Sequence, residues 1–440
     1  MATDLWLEDL LISGRVHRLT VQQRLGAGAQ GEVLQVLRKG DPRPWALKLY
    51  RVPPEHPDGQ CLIRMVEFLR RHGDLPLDLG LALPAAIGVD RNSHRVGILL
   101  PLVAGEPLAE WDYRQLYEQG LRSQLWVAAR LAYALAWLHA RGIIHGDLAE
   151  PNLLVRREGS RIIGLTLIDV DGGGILDPSG SWRLPPRVLG HADGSLQAPE
   201  LLRGERACPD LNTERWALAV ILHRLLFGGL DPFFYVAFAI DIGDPRTPWP
   251  PSRSPAMRQE ILEWHQQTLS KLGDRLRHYF LQVFASPRSP SLRPAPKDWA
   301  NALEIAARWV MRCHGCGEEL VVERRVQCPK CSALLPHAWL RIPNGRPILL
   351  WEEGQIVTGR DIGLGGTEVR AVILRFHRLE TGEIAVQPVA VLMKPVNPRG
   401  IRSLPDGTLA VSAGRHRLQV LPGKGRPPRE VVLEIPPQKA

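Results

Sequence analysis

Asp147 and Asn152 stand five residues apart in the run His145-Gly146-Asp147-Leu148-Ala149-Glu150-Pro151-Asn152. On one loop such a pair can divide two tasks. The carboxylate orients and deprotonates a hydroxyl nucleophile, and the amide holds a metal ion. A polar loop closed by an Asx turn is the plainer alternative. Asp169, in Ile168-Asp169-Val170-Asp171-Gly172, follows an apolar run. A carboxylate there is placed to bind magnesium, a hard cation that prefers oxygen ligands; a turn aspartate would look the same in isolation. Lys48 lies in Ala46-Leu47-Lys48-Leu49. A lysine on an apolar strand is costly unless paired, and Glu67, on the next predicted helix, is its expected partner ahead of Glu55 in a proline-rich turn. Such a lysine holds phosphates as a point charge, or simply snorkels from an edge strand.

Gly26-Ala27-Gly28-Ala29-Gln30-Gly31 would let backbone approach phosphates closely. The same spacing occurs in dinucleotide-binding turns, which need a helix directly afterwards. Here a strand-like run, Glu32–Leu37, follows. That favours a strand–turn–strand flap, with an ordinary hairpin loop as the alternative.

A second constellation is Cys313-His314-Gly315-Cys316, followed by Cys328-Pro329-Lys330-Cys331. Two C-x-x-C pairs bring four thiolates to tetrahedral corners once the chain doubles back, which predicts structural zinc on Cys313, Cys316, Cys328 and Cys331. A redox dithiol needs only one pair. Four cysteines fill the coordination shell, so His314 and His337 are surplus. Cys61 and Cys208 read as small apolar residues.

Elements must carry these groups. Val16–Leu25, Glu32–Leu37 and Trp45–Tyr50 read as strands parted by Gly/Pro turns, and Val96–Leu100 as a buried strand. Cys61–Arg71 and Leu121–Ala140 are helical in period, and helices dominate from Thr213 to about Trp309. The apolar stretch Trp216–Ile240 is interrupted by His223, Arg224 and Asp231 and reads as a buried helix. From Arg341 onward β-branched residues alternate with turns, which predicts an all-β domain. Strands first, helices next, then strands again is an α+β organisation. The boundaries expected are 14–308, 311–338 and 341–437.

Of the +9 net charge, most belongs to the last third: Met311–Ala440 holds 19 basic and 12 acidic residues. Such a tail can bind nucleic acid or merely solvate the surface. Its few aromatics count against single-strand stacking. The N-terminal residues lack the features of a secretion signal, and clustered cysteines suit a reducing compartment, so a cytoplasmic protein with no membrane association is expected.

The ordered set of motifs over roughly residues 14–308 resembles the protein kinase family. Gly26, Gly28, Gly31 and Val33 match its nucleotide-covering loop, Lys48 its strand lysine and Glu67 that lysine's helix partner. Leu100 and Leu102 fall where the hinge grips adenine. Asp147 and Asn152 match the catalytic loop, and Asp169 the magnesium-binding aspartate. Ala198-Pro199-Glu200 closes the activation segment, Arg293 matches the arginine that pairs with that glutamate, and Glu214 stands where an aspartate braces the loop. The resemblance implies a two-lobed fold, followed here by the zinc ribbon and the β domain. It also implies ATP and Mg2+ as cofactors beside Zn2+, and transfer of phosphate to a Ser/Thr hydroxyl of a partner protein, with Tyr the less favoured acceptor.

Departures qualify that expectation. Gly146 replaces the usual arginine, so activity should not require activation-segment phosphorylation at Ser179, Ser181 or Ser195. Ala149 replaces the loop lysine of serine/threonine kinases, and Asp171 takes the place of a glycine. An ATP-binding pseudokinase scaffold is therefore one alternative, and a nucleic-acid-associated regulator acting through the zinc ribbon and basic tail another. The C-terminal pattern loosely resembles bacterial kinases encoded beside von Willebrand factor A and phosphatase proteins, which would make those proteins partners.

Overall fold

The computed structural model describes residues 4–28, 30–72, 79–110, 113–186, 196–232, 255–308, 310–313, 315–322, 327–333, 335, 338–342, 348–350, 355–363, 372–379, 383–389, 391–412, 414–421 and 427–435. Ala29, Ser195, His314 and His337 lie outside them. The chain divides into two units, Met1–Arg308 and Trp309–Ala440.

In the first unit, buried and exposed positions alternate along β1 (Asp4–Asp9), the start of β2 (Val16–Ala27) and the end of β4 (Asp41–Tyr50), with β3 (Gly31–Arg38) between them, while β5 (Ala86–Asp90) and β6 (Val96–Pro101) are buried along nearly their whole length. A period of two sends one set of side chains inward, and Leu5, Leu7, Leu19, Val36, Leu47 and Leu99 share that core. The order β1-β2-β3-β4-β6-β5 closes into a barrel, because β1 pairs with both β2 and β5. The closing strand precedes residue 14, where the domain was expected to begin. Its seat is made by Gly88 and Gly97, which face each other across β5 and β6. A Cβ on either would come within 2.7 Å of the Leu7 side chain. Asp9 fixes the chain beyond β1: one oxygen accepts the backbone N–H groups of Leu11 and Ile12, and the other meets His17 Nε2 at 3.0 Å.

Helix α1 (Pro57–Arg71) starts with proline at its first position and a capping His56 side chain. It buries Leu62, Met65, Val66 and Leu69. Leu62 and Val66 join Tyr50, Ile98 and Leu100 in one cluster. Each such side chain contributes about 1.5–3 kcal/mol of burial.

The helical half follows. β7 (Glu106–Pro107) leads to α2 (Arg114–Glu118), α3 (Leu121–His139) and the strand β8 (Ile143–Ile144). The hairpin β9 (Leu153–Glu158) and β10 (Arg161–Leu167) pairs with β7, while β11 (Gly174–Leu176) pairs with β8 and with β12 (Trp182–Leu184). Then come α4 (Pro199–Leu202), α5 (Leu211–Leu226), α6 (Pro255–Lys271), α7 (Asp274–Phe284) and α8 (Pro296–Arg308). A capping box starts α5: Asp210 accepts from the N–H of Thr213, whose hydroxyl accepts from the N–H of Asp210. From Trp216 to Leu226 every residue of α5 is buried, as its apolar run predicts; residues 233–254 lie outside the described residues. Among the described residues no helix is long and apolar enough to cross a membrane.

In the second unit β13 (Val310–Arg312) and β14 (Glu319–Val321) form a two-stranded sheet. Among the described residues ten further strands follow: β15 (Ala338–Arg341), β16 (Ile348–Leu350), β17 (Gln355–Thr358), β18 (Val372–Arg378), β19 (Ile384–Pro388), β20 (Leu392–Pro395), β21 (Ile401–Ser403), β22 (Leu409–Val411), β23 (Gly414–Leu421) and β24 (Arg429–Ile435). They make two five-stranded antiparallel sheets, β16-β15-β24-β23-β20 and β17-β18-β19-β22-β21. Leu340, Leu418 and Leu433 of the first sheet share a buried cluster with Leu374, Val386 and Val411 of the second. Two sheets facing one core form a sandwich.

Candidate active site

The glycine-rich turn joins β2 to β3 and is tied by a bond from Gly28 N–H to Gly31 carbonyl oxygen at 2.9 Å. A Cβ added at Gly31 would fall 2.2 Å from the Leu49 carbonyl oxygen, so glycine there lets β3 lie against β4. A Cβ at Gly26 or Gly28 would meet nothing within 4 Å. Those two glycines leave room instead of allowing a tight contact. Beneath the turn is a cleft of about 260 Å³, lined by Gly26, Ala27, Gly28, Gln30, Gly31, Val33, Lys48, His145, Asp147, Asp169 and Gly172. Leu100 is buried and Leu102 half-buried at the end of β6, and neither lines this cleft.

Lys48 stands on β4 opposite Val33 of β3 and Ile98 of β6. Its Nζ lies 3.0 Å from Asp169 Oδ2 and 3.4 Å from Asp171 Oδ2. Burial alone would push the ammonium toward its neutral form. Asp171, the Tyr50 oxygen and Asp169 together outweigh it and hold the Lys48 pKa above the ordinary lysine range. Asp169 has φ +63°, a left-handed conformation unusual outside glycine. Such conformations cluster at functional sites.

The expected partner of Lys48 is corrected. Glu67 turns to Arg71 one helical turn on, with 44% of its side chain exposed. The buried stripe of α1 is Leu62, Met65, Val66 and Leu69, and Glu67 lies off that stripe. Asp171, whose side chain is fully buried, lies 3.4 Å from Lys48 Nζ, and the Tyr50 hydroxyl donates to the same oxygen. Burial works against the Asp171 carboxylate, but Lys48 and the Tyr50 hydroxyl hold its pKa below the usual range. Sequence reasoning missed Tyr50 in this role. Its spacing of two from Lys48 on one strand was the available signal.

Asn152 Nδ2 donates to both the carbonyl and the Oδ2 of Asp147, each at 2.9 Å. His145, fully buried, meets the Ile168 carbonyl through Nε2 at 2.7 Å and the Asp147 N–H through Nδ1 at 3.3 Å. It thus ties the Asp147 loop to the start of the Asp169 segment. Gly146 has φ +80°, which explains glycine in place of a larger residue. Its N–H donates to Glu214 Oε1 at 2.6 Å, and His139 meets the other oxygen at 2.8 Å. Glu214 therefore braces the loop from α5. Under the same loop, Glu150 accepts from the Tyr113 hydroxyl and pairs with Arg224, which also pairs with Asp231.

In the second unit, Cys313, Cys316, Cys328 and Cys331 lie with all four sulfurs within 4.8 Å of one another. Two of the S···S distances are 3.6 and 3.7 Å. Four sulfurs at tetrahedral corners about 2.3 Å from one ion stand about 3.8 Å apart. The turns that place them carry Gly317 at φ +73° and Ser332 at φ +58°. The donor set therefore fits one tetrahedral metal ion.

Residues 19–235 match the family model of the protein kinase domain. Two curated relatives are each described as protein kinase YegI. The one from Escherichia coli O157:H7 is 25% identical over 71% of this chain and 49% of its own. The one from Escherichia coli strain K12 is 25% identical over 71% of this chain and 48% of its own. The chain thus spans about half the length of these relatives. The dual specificity testis-specific protein kinase 1 of Rattus norvegicus is 26% identical over 48% of this chain and 32% of its own. Among solved structures, the kinase domain of PknI from Mycobacterium tuberculosis covers 65% of this chain and 95% of its own, at 22% identity and a TM-score of 0.39.

Proposed function

This chain belongs to a bacterial protein-kinase-like family, and from that premise we propose that it transfers the γ-phosphate of ATP to a serine or threonine hydroxyl of a partner protein. The observation that carries the reading is the convergence of Lys48, Asp147 and Asp169 on one cleft beneath the glycine-rich turn. Gly26, Gly28 and Gly31 would cover the phosphates, with Val33 beside them. Lys48 would hold the α- and β-phosphates as a fixed charge. The backbone of Leu100 and Leu102 would meet adenine.

Asp147 would orient the acceptor hydroxyl and take its proton. Asn152 spends its N–H groups on Asp147, which leaves its amide oxygen for a cation. That oxygen and the Asp169 carboxylate form the hard donor set that suits magnesium. Magnesium, when bound, neutralises charge on the β- and γ-phosphates.

Ala149 leaves the loop without its lysine, so Lys48 is the one Lys or Arg among the described residues lining the cleft. Cations at a transferring phosphoryl group are worth orders of magnitude in rate, so turnover should be slow. The same observation favours the second reading, an ATP-binding scaffold without transfer. In the second unit we propose a structural zinc ribbon over 311–338, its ion held by the four cysteines, and a β-rich domain over 341–437.

The test is label transfer from γ-labelled ATP, with magnesium, to the chain itself and to a generic protein substrate. Transfer by the wild type that Lys48→Met abolishes supports the kinase reading. Nucleotide binding without transfer supports the scaffold.

A further inference from the structure

We propose that Asp171, braced by Tyr50, is the positioning residue for Lys48, in the place expected of Glu67 on α1. The proposal rests on the kinase reading of the cleft and deepens it.

Three observations carry it. First, Asp171 is fully buried and its Oδ2 lies 3.4 Å from Lys48 Nζ, while the Tyr50 hydroxyl donates to that same oxygen. Tyr50 and Lys48 are two apart on β4, so both side chains leave the strand on one face. The Lys48 ammonium also stands 5.0 Å from the centre of the Tyr50 ring. Lysine, tyrosine and aspartate therefore fix one another. Second, Asp169 and Asp171 differ in environment. The Asp169 side chain is 41% exposed and lines the cleft, where it can turn to a bound cation. Asp171 has no exposure and does not line the cleft, so its carboxylate remains with Lys48 when Asp169 is engaged. Third, Glu67 is engaged with Arg71 and its side chain is about half exposed, beside a more exposed Arg71. An exposed pair of that kind contributes little.

A buried carboxylate needs a charge partner, and a buried ammonium needs one too. Placing the aspartate two residues after the proposed magnesium ligand Asp169 meets both needs within one segment. Val170–Gly172 also packs on α1, so the helix supports this segment in place of offering its own carboxylate.

The experiment compares the full chain carrying Asp171→Asn, Tyr50→Phe, Glu67→Gln and Lys48→Met. It records KM for ATP, kcat, and the rise in melting temperature caused by MgATP. Lys48→Met should abolish transfer, and if it does not, the kinase reading itself fails. With that control met, Asp171→Asn should lower kcat/KM for ATP roughly a hundredfold and Glu67→Gln less than threefold. Tyr50→Phe keeps the buried carboxylate and should raise KM for ATP about tenfold at nearly constant kcat, which a merely structural loss would not do. If Asp171→Asn does not fold, Tyr50→Phe decides. Unchanged kinetics in Tyr50→Phe, or a larger loss in Glu67→Gln than in Asp171→Asn, would overturn the proposal.

Discussion

Glu200 and Arg293 form a two-pronged ion pair inside the first unit: Arg293 Nη1 meets Oε1 at 2.6 Å and Nη2 meets Oε2 at 2.8 Å. The Arg293 side chain has no exposure and that of Glu200 only 6%. The guanidinium also donates to the carbonyls of Asn212 and Pro287, and its carbon lies 5.1 Å from the Trp216 ring centre. One arginine thus joins α4 to the start of α5 and to the segment after α7. Breaking a buried pair leaves an uncompensated charge and costs about 3–5 kcal/mol. Arg293→Ala should lower the unfolding free energy of the first unit by about that amount, read as a lower denaturant midpoint at unchanged slope. Arg293→Lys should rescue little, because lysine keeps the charge and loses the fork.

A second buried pair sets an acid limit. The Nδ1 of His223 faces the Leu230 carbonyl at 2.8 Å, and its Nε2 faces His265 Nε2 at 3.1 Å. Burial, with His265 and Arg224 nearby, holds His223 well below the imidazole range. Burial also brings His265 down to about 4. Both rings are neutral in the folded chain at neutral pH. On acidification the unfolded chain takes up protons near about pH 6.5, before the folded chain does. Stability should therefore fall from about pH 6.5 toward pH 4. Thermal unfolding across that window should show a shallower fall for His265→Phe than for wild type.

The four-cysteine cluster yields a metal prediction. Purified chain should carry one zinc per molecule by elemental analysis, and Cys316→Ser should carry much less. Chelation should unfold the cluster's own module, since the small core there, including Met311, Leu320, Val322 and Leu335, packs on Cys313 and Cys328. Transfer activity in the first unit is read separately. Zinc-free chain with an unchanged melting profile would refute a structural ion.

Regulation by activation-segment phosphate is not expected. The residue before Asp147 is Gly146, which presents its N–H to Glu214 and has no cationic side chain to neutralise. Ser179 donates to Asp177 Oδ1 at 2.6 Å, and the same oxygen accepts the N–H groups of Ser179 and Ser181, which closes a tight turn. Replacing Ser179, Ser181 and Ser195 together by alanine should leave the transfer rate within about twofold of wild type. A large loss in steady-state rate would refute this.

What the sequence discloses follows from the range of the interactions. Asp147 and Asn152 are bonded within one loop, so their spacing carries the geometry. Gly26, Gly28 and Gly31 are legible for the same reason. The partner of Lys48 is not, because Tyr50 and Asp171 lie 121 residues apart and only the fold brings them together. Helical spacing puts Glu67 one step from buried Val66, and a single step of rotation takes its side chain to solvent. The barrel-closing strand also escapes a local reading. Six residues, Asp4–Asp9, carry a plain alternation, and the glycines that make room for Leu7 are far along the chain at 88 and 97. Gly146 is legible as a departure, but its reason, a positive φ, belongs to the backbone.

Phosphoryl transfer is proposed at the cleft that holds Lys48, Asp147 and Asp169. It is tested most directly by intact-mass spectrometry of the purified chain after incubation with MgATP, beside Asp147→Ala handled identically. Added phosphate is expected on serine or threonine of the wild type and none on Asp147→Ala, with both proteins folded. Equal phosphate on both, or none on the wild type and on any protein substrate offered to it, would contradict it.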